Sequence, residues 1–336
     1  MLGTARRAAA AKAGGEAPLL EVTRLSVAFS GLTVVDGVSL SLREGEVLGI
    51  VGESGSGKSV TAQATMGLLP SSARVTADRL SLMGETLLGI GEKRLQRLRG
   101  SAMSMIFQEP MTALNPVLTI GRQIGETLVR HGVVTQGQAR ERSAELLARV
   151  GIPSPRSKLD DYPHQLSGGM RQRVMIAIAI ACNPRLLFAD EPTTALDVTI
   201  QAQILELLRE LQQEYRMGIV LISHDLGVVS SFADRVAVMY AGRIVEDAAA
   251  DAIFARPAHP YTRGLLASRP SATHDVARLT AIPGTVPPAF DLPSGCRFRT
   301  RCAQADAACA ATDPPRVVVG PAHGAACLKP LLETPA

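Results

Sequence analysis

Short apolar runs and alternating apolar and polar positions dominate the first hundred residues and predict β-structure. Val38–Leu42 alternates as a half-buried strand does, whereas Val47–Val51 is apolar at every position, as in a strand buried on both faces. The segment from Lys58 to about Leu69 is predicted to be a helix. The other elements expected here are strands at Leu19–Val22, Leu25–Phe29 and Met103–Phe107, a strand pair within Leu80–Leu88, and a basic helix at Lys93–Arg99.

From Ile120 onward apolar residues recur every three or four positions, which predicts a block of helices. Strand patterns resume after this block, so a helical subdomain over about 109–181 is expected inside one domain over 17–250. The helices are predicted at Ile120–Arg130, Gln138–Val150, Met170–Ala181 and Ile200–Tyr215, and the strands at Leu186–Ala189, Ile219–Ile222, Val236–Tyr240 and Ile244–Glu246.

Both ends of the chain differ from this domain in composition. Residues 1–16 are Ala-rich and are expected to be a disordered tail, since Lys12 interrupts any signal-peptide core. Residues 251–336 are rich in proline and hold four of the five cysteines, which predicts a separate extension. The longest apolar run, Val174–Cys182, is far shorter than the roughly 18 residues that span a bilayer. A cytoplasmic protein is therefore expected, reaching a membrane only through a partner.

Charge and aromatic content add little beyond this. The 336 residues carry a net charge of +4, and only 3% of them are aromatic, with no Trp. Nucleic-acid binding usually requires a concentrated basic patch or stacking aromatic side chains, so neither value favours it.

A glycine-rich segment between a predicted strand and a predicted helix carries the first clear chemistry. Gly52–Ser59 matches G-x-x-x-x-G-K-[ST], the phosphate-binding loop. Its glycines allow the backbone to curl with N–H groups facing inward, and the helix that follows presents its positive dipole end to phosphate. Lys58 can reach the β- and γ-phosphates, and the Ser59 hydroxyl can ligate Mg²⁺. The predicted nucleotide contacts are Gly52, Ser54, Gly55, Ser56, Gly57, Lys58 and Ser59.

Acidic residues follow the buried strand Leu186–Ala189, at the end where α/β sheets place their sites. Asp190 is placed to hold Mg²⁺, directly or through water. Glu191 is placed to accept a proton from the attacking water or to orient it. Gln108 ends another buried strand, where its amide can contact both the metal site and a neighbouring loop.

Three further features extend this pattern. Ser167, Gly168 and Gly169 begin a helix and form a second anion-binding terminus, which a single nucleotide does not need. Asp197 closely follows the acids, and His224 ends a predicted strand, where it can contact the γ-phosphate.

Taken together, these residues resemble an ABC-type ATPase subunit. The matching features are the Walker A segment Gly52–Ser59, the Q-loop Gln108, the signature Leu166–Met170, the Walker B pair Asp190–Glu191, the D-loop Asp197 and the switch His224. The resemblance covers about residues 19–250. It implies a P-loop NTPase fold of the α/β class, with a RecA-like core, an antiparallel β subdomain and an inserted α-helical subdomain, and it places Phe29 against adenine.

Three longer stretches narrow the resemblance to the ATPase subunits of oligopeptide and dipeptide importers. They are Phe107–Pro116, Asp190–Thr199 and His259–Leu266. The signature has Met170 where Gln is commoner; Met cannot donate an amide hydrogen bond, but Ser167 and the backbone donors remain.

The resemblance also implies a mechanism and partners. Two ATPase subunits would face each other head to tail, so that the signature of one covers ATP on the P-loop of the other. Lys58, Gln108, Glu191 and His224 would be catalytic, and Ser59, Gln108 and Asp190 would bind Mg²⁺. The implied partners are two permease subunits, a second ATPase subunit and an extracytoplasmic solute-binding protein, at the cytoplasmic face of the membrane.

Cysteines in the extension indicate a further site. Cys296, Cys302, Cys309 and Cys327 have the spacing C-x5-C-x6-C-x17-C. In a cytosolic chain such a set favours a metal or redox site over disulfides, and thiolates suit iron–sulfur clusters or Zn²⁺. The resemblance implies a [4Fe–4S] cluster, while zinc and unliganded structural thiols remain alternatives.

Two alternative functions remain open from the sequence. An importer of nickel or another small solute would use a similar ATPase. A soluble ABC ATPase acting on nucleic acid would be expected to carry long coiled-coil or DNA-binding insertions, which the sequence does not contain.

Overall fold

The structure, a computed structural model, describes residues 17–194, 196–268 and 282–331. The predicted tail over 1–16 lies outside these ranges. The described residues divide into two compact units. The first unit contains 17–43, Val47–Leu88 and the residues from Ser223 onward, and the second contains Glu44–Glu46 and Gly89–Ile222.

Strands form two sheets, and their bounds lie close to the alternating and apolar patterns of the sequence. They are β1 (Leu20–Phe29), β2 (Leu32–Leu42), β3 (Val47–Val51), β4 (Ala73–Thr76), β5 (Arg79–Leu82), β6 (Glu85–Thr86), β7 (Met103–Ile106), β8 (Leu186–Asp190), β9 (Gly218–Ser223), β10 (Arg235–Tyr240), β11 (Arg243–Ala249), β12 (Arg316–Gly320) and β13 (His323–Ala326).

Helices fall mostly in the second unit, as the helical block predicts. They are α1 (Lys58–Thr65), α2 (Glu92–Leu98), α3 (Pro110–Ala113), α4 (Ile120–Arg130), α5 (Ala139–Arg149), α6 (Pro155–Lys158), α7 (Gly168–Ile180), α8 (Val198–Tyr215), α9 (Leu226–Phe232), α10 (Ala250–Ala255), α11 (Pro260–Ala267) and α12 (Ala307–Ala311), with a short 3₁₀ turn at Pro163–Gln165.

The first unit contains strands of both sheets. An antiparallel sheet has the order β2-β1-β5-β6, with β4 also paired to β1, and a second sheet runs β12-β13-β11-β10-β3. In this second sheet β3 and β10 are parallel, and β10 and β11 form an antiparallel hairpin. The extension enters the same sheet, because β13 pairs with β11 and β12 pairs with β13.

The second unit combines the parallel strands β9-β8-β7 with the predicted helices. Every residue of β8 is buried, as in a strand covered on both faces. Helix α8 buries Ile204, Leu207, Leu208 and Leu211, as the spacing of its apolar residues predicts, whereas Ile200 and Tyr215, predicted on the same face, are only half-buried.

Two predicted boundaries were wrong, for identifiable reasons. The helix expected to reach Leu69 ends at Thr65, because Gly67 adopts a left-handed φ of +63° and Leu68 N–H bonds back to Gln63 O. The two short strands expected at Leu19–Val22 and Leu25–Phe29 are one strand. A register shift with left-handed Arg24 (φ +49°) marks the apparent break between them. Within the described ranges no helix is long and apolar enough to cross a bilayer.

Candidate functional site

The phosphate-loop segment of the first unit has the predicted strand–loop–helix geometry. Buried strand β3 leads into the loop, and Gly57 caps α1 in the left-handed region (φ +100°). Gly52 lies so close to the end of β10 that a Cβ at this position would meet the Met239 carbonyl oxygen at 2.1 Å. Gly55, also at positive φ, would instead meet no atom within 4 Å, so the loop is open on that side. This cradle fits the phosphates of a nucleotide.

Lys58 lies inside this loop and is only 6% exposed. Its Nζ donates to Gly52 O at 2.8 Å and to Glu53 O at 2.9 Å. Ser56, fully buried, lies under the loop with its Oγ 3.5 Å from the same ammonium. Carbonyl groups of the loop therefore hold the ammonium. The charged oxygens of a bound phosphate would bind it more strongly than these uncharged partners do.

The acidic pair occupies the end of β8 in the second unit, as predicted. Asp190 is the last residue of that strand and is 3% exposed. Glu191 follows with a left-handed φ of +48°, and its N–H donates to Ile222 O at 2.9 Å. Two side chains donate to its Oε2: Gln108 Nε2 at 3.1 Å and Thr194 Oγ1 at 2.8 Å. The structure therefore brings Gln108 and Glu191 together. The buried carboxylate of the adjacent Asp190 is a suitable ligand for Mg²⁺.

The signature begins α7 in the same unit. Ser167 is the N-cap residue, and its Oγ accepts from Met170 N–H at 3.3 Å. Asp197 similarly caps α8 by accepting from Ile200 N–H at 2.9 Å. The two helix starts touch, since a Cβ on Gly169 would lie 3.0 Å from Ile200 Cγ2. Ser167 and Gly168 are exposed, so the start of α7 is open to solvent.

His224 and Phe29 both belong to the first unit. His224 directly follows β9 and is exposed, next to Asp225, which caps α9. Phe29 ends β1, half-buried, with Leu32 and Ala73 as its strand partners. Its contact with adenine stays a prediction.

The four extension cysteines converge on one cavity, although they span 32 positions of sequence. Cys296, Cys302, Cys309 and Cys327 all line it, together with His259 and Phe298. Each is partly exposed, and burial raises the pKa of the Cys296 and Cys327 thiols. In the described residues no group of three or more His, Cys, Asp or Glu side chains is arranged to hold a single metal ion.

Sequence reasoning missed one set of contacts at the loop. Glu53, which occupies a variable position of the motif, bonds to Tyr261 and Arg301 of the extension. These residues lie 208 and 248 positions away, so no local pattern could have paired them.

Comparisons with known proteins agree with this geometry. Residues 35–194 match the family described as ABC transporter, and 245–309 match the oligopeptide/dipeptide transporter C-terminal region. The chain is 51% identical over 317 residues to the dipeptide transport ATP-binding protein DppD of Escherichia coli, covering 93% of this chain and 97% of that one.

Two further proteins extend the similarity. The oligopeptide transport ATP-binding protein AppD of Bacillus subtilis is 51% identical over 301 residues, covering 88% of this chain and 92% of its own. A solved dimeric structure of the ATP-binding cassette MJ0796, bound to ADP and Pi, superposes with a TM-score of 0.59 at 27% identity, covering 69% of this chain and 98% of that chain.

Proposed function

The chain belongs to the ABC transporter family, among the ATP-binding subunits of its oligopeptide and dipeptide class, and we propose that its ATP hydrolysis energises peptide import across a membrane. The fold is accordingly that of an ABC-type P-loop ATPase. The observation that carries the proposal is the likeness over almost the whole length of the relatives, extension included, together with a loop that fits nucleotide phosphates. The proposed ATPase domain spans residues 17–250, and the proposed extension spans 251–336.

Residue roles follow from the site. Lys58 and the N–H groups of the loop hold the β- and γ-phosphates, and Phe29 contacts adenine. Ser59, Gln108 and Asp190 are the proposed Mg²⁺ ligands, since Mg²⁺ prefers oxygen donors. When bound, this ion would neutralise charge on the phosphates.

Glu191 acts on the attacking water. As the water oxygen bonds to the γ-phosphorus, the bond from phosphorus to the β–γ bridging oxygen breaks, and the water proton passes to the Glu191 carboxylate. ADP leaves with the bridging oxygen. Lys58 and His224 stabilise negative charge on the transferred group. The hydrogen bonds from Gln108 and Thr194 support this role because they fix the carboxylate.

A second ATPase subunit completes the site in this proposal. The exposed start of α7, with Ser167, Gly168 and Gly169, supplies donors to ATP bound on the partner, and Asp197 lies beside it. The dimer of the MJ0796 cassette supports the arrangement. Permease subunits in the membrane are implied by family membership. We further propose that the complex contains two permease subunits and a solute-binding protein, and that this subunit lies on the cytoplasmic face of the membrane.

The extension cysteines are proposed to bind a [4Fe–4S] cluster. Thiolates also ligate Zn²⁺, so zinc bound by the same four cysteines is the alternative. A cluster spreads its ligands over four irons, which suits four thiols placed around a shared cavity. Protein purified without oxygen should be brown, contain iron and sulfide, and bleach with dithionite, as should Cys182→Ser. Colourless, iron-free protein would contradict the cluster.

Transport by the reconstituted complex tests the function. The chain is assembled in vesicles with permease subunits and a solute-binding protein of a peptide importer, and ATP turnover and uptake are measured with peptides of graded length. Peptide-dependent turnover and uptake support the proposal. Stimulation by nickel or another small solute, with no response to any peptide, would overturn the substrate class while leaving the ATPase role intact.

A further inference from the structure

Glu53 is the second residue of the phosphate loop, and all three of its polar groups have partners. Its carbonyl oxygen accepts from Lys58 Nζ at 2.9 Å and from Ser56 N–H at 3.2 Å. Its N–H donates to Tyr261 Oη at 2.9 Å. Both oxygens of its carboxylate accept from Arg301 Nη1, Oε1 at 3.1 Å and Oε2 at 3.0 Å. Two of the three anchors therefore come from the extension rather than from the loop.

Arg301 is held from several sides. Its side chain is 5% exposed, and its Nε donates to Pro283 O at 2.8 Å while Nη2 donates to Gly284 O at 3.2 Å. Its guanidinium carbon also lies 5.7 Å from the ring centre of Tyr240. A planar, fully bonded guanidinium loses little freedom on binding and fixes the direction of the carboxylate it meets.

Tyr261 is equally fixed. Its ring is fully buried and packs on Tyr240 and Phe298, with ring centres 4.6 Å apart for the first pair and 5.3 Å for the second. Burial raises the pKa of its hydroxyl, so the group stays neutral, and its oxygen accepts from Glu53 N–H. The loop thus rests on two rigid groups of the extension.

Phosphate binding depends on the direction of backbone N–H groups and of Lys58 Nζ. Lys58 Nζ bonds to the carbonyl of Glu53, so a rotation of residue 53 would move both the ammonium and the loop N–H groups. Displacements near 1 Å at a binding site have large effects on rate and affinity.

We propose that Arg301 is a positioning residue for ATP, which fixes the phosphate loop through Glu53 and thereby makes the extension part of the nucleotide site. The inference rests on the proposed function, because it presumes that the loop binds ATP. It assigns the extension a role in the ATPase cycle of its own subunit.

The test compares ATP with AMP. Equilibrium titrations of the full chain are made with fluorescent derivatives of both nucleotides, well below the unfolding temperature, for Arg301→Met, Glu53→Gln and the double variant. Arg301→Met should weaken ATP binding about tenfold while AMP binding changes little, because AMP lacks the β- and γ-phosphates that the loop holds. Glu53→Gln should lose a similar amount of ATP affinity. The double variant should bind ATP no more weakly than the single variant with the lower affinity, because both changes break the same contact.

Arg299→Met is the matched control, since Arg299 lies in the same segment and donates to Ser294 O at 2.9 Å. It should bind ATP within about twofold of the unmodified chain, as expected for a partly exposed contact. Unmodified protein that fails to bind ATP would overturn the proposed function. Unmodified protein that binds ATP while Glu53→Gln and Arg301→Met bind it equally well would overturn only this inference, as would parallel losses of ATP and AMP affinity. If Arg301→Met does not fold, Glu53→Gln alone decides.

Discussion

Replacing Glu191 by Gln separates the chemistry of this carboxylate from its structural contacts. The amide keeps the length and shape of the side chain, and its oxygen can still accept from Gln108 Nε2 or Thr194 Oγ1. Glu191 has a left-handed φ of +48°, which costs about 1–2 kcal/mol for any residue with a Cβ. Gln bears the same cost, so the substitution leaves backbone strain unchanged.

The expected effect can be divided between stability and rate. Loss of one weak hydrogen bond at a partly exposed position costs about 1 kcal/mol of unfolding free energy. Loss of a general base lowers turnover by about 10²–10⁴, which is about 2.7–5.5 kcal/mol in the activation barrier. The rate effect therefore exceeds anything that the contacts alone could produce.

Turnover of ATP by the assembled complex, ATP affinity and apparent molecular mass are measured together. Glu191→Gln should bind ATP normally, accumulate as an ATP-bound dimer and hydrolyse at least ~10²-fold more slowly. Thr194→Val, which removes one donor to the same oxygen, should slow turnover by less than about tenfold. Near-normal turnover in Glu191→Gln would refute the assigned role.

Four other substitutions test the structure. Gly52→Ala should abolish ATP binding in titrations, since its Cβ would meet Met239 O at 2.1 Å; Gly55→Ala, with no neighbour within 4 Å, should lose less. Glu246→Gln should lower the unfolding free energy by about 1–3 kcal/mol in urea, because the fully buried carboxylate accepts from Ala258 and His259 N–H at 2.6 and 2.8 Å and an amide cannot accept at both atoms. Burial lowers the pKa of His259 to about 4, so its folded form resists protonation. Its stabilising contribution is therefore complete above about pH 6.5 and falls by about 3 kcal/mol as pH drops to about 4. His259→Asn, which can still accept from Tyr261 N–H, should show a smaller loss of stability between pH 7 and 4.5.

Local chemistry explains why so much could be predicted from the sequence. The P-loop, the acids after β8 and the cap at Ser167 each depend on a few neighbouring residues, and the structure forms each of them. Helix α4 matches its predicted bounds, Ile120–Arg130, because its apolar spacing is strict. Helix α9 was missed: its β-branched residues favour strands, and the double acceptance by Asp225 Oδ1 from Gly227 and Val228 N–H starts a helix instead.

Contacts between distant segments could not be predicted. Nothing near Glu53 indicates a partner at Arg301, and nothing in the proline-rich extension indicates that β13 would pair with β11. Such pairings depend on the whole packed unit rather than on local propensity. The four cysteines were recognised as a set from spacing, but only the folded chain places them around one cavity.

The extension is therefore expected to be required by the ATPase unit rather than dispensable. Ending the chain after residue 250 would remove Ala258, His259 and His323, which bond to the buried Glu246, and both anchors of Glu53. It would also uncover Tyr240, against which Tyr261 and Phe298 pack. Exposing a large buried side chain costs about 1.5–3 kcal/mol and each lost hydrogen bond about 1 kcal/mol, which together are a large share of the about 5–15 kcal/mol that typically holds a domain together. The truncated chain should be largely insoluble on expression, whereas a chain ending at Leu331 should stay soluble. A soluble truncated chain with the ATP affinity of the full chain would show that these contacts contribute little.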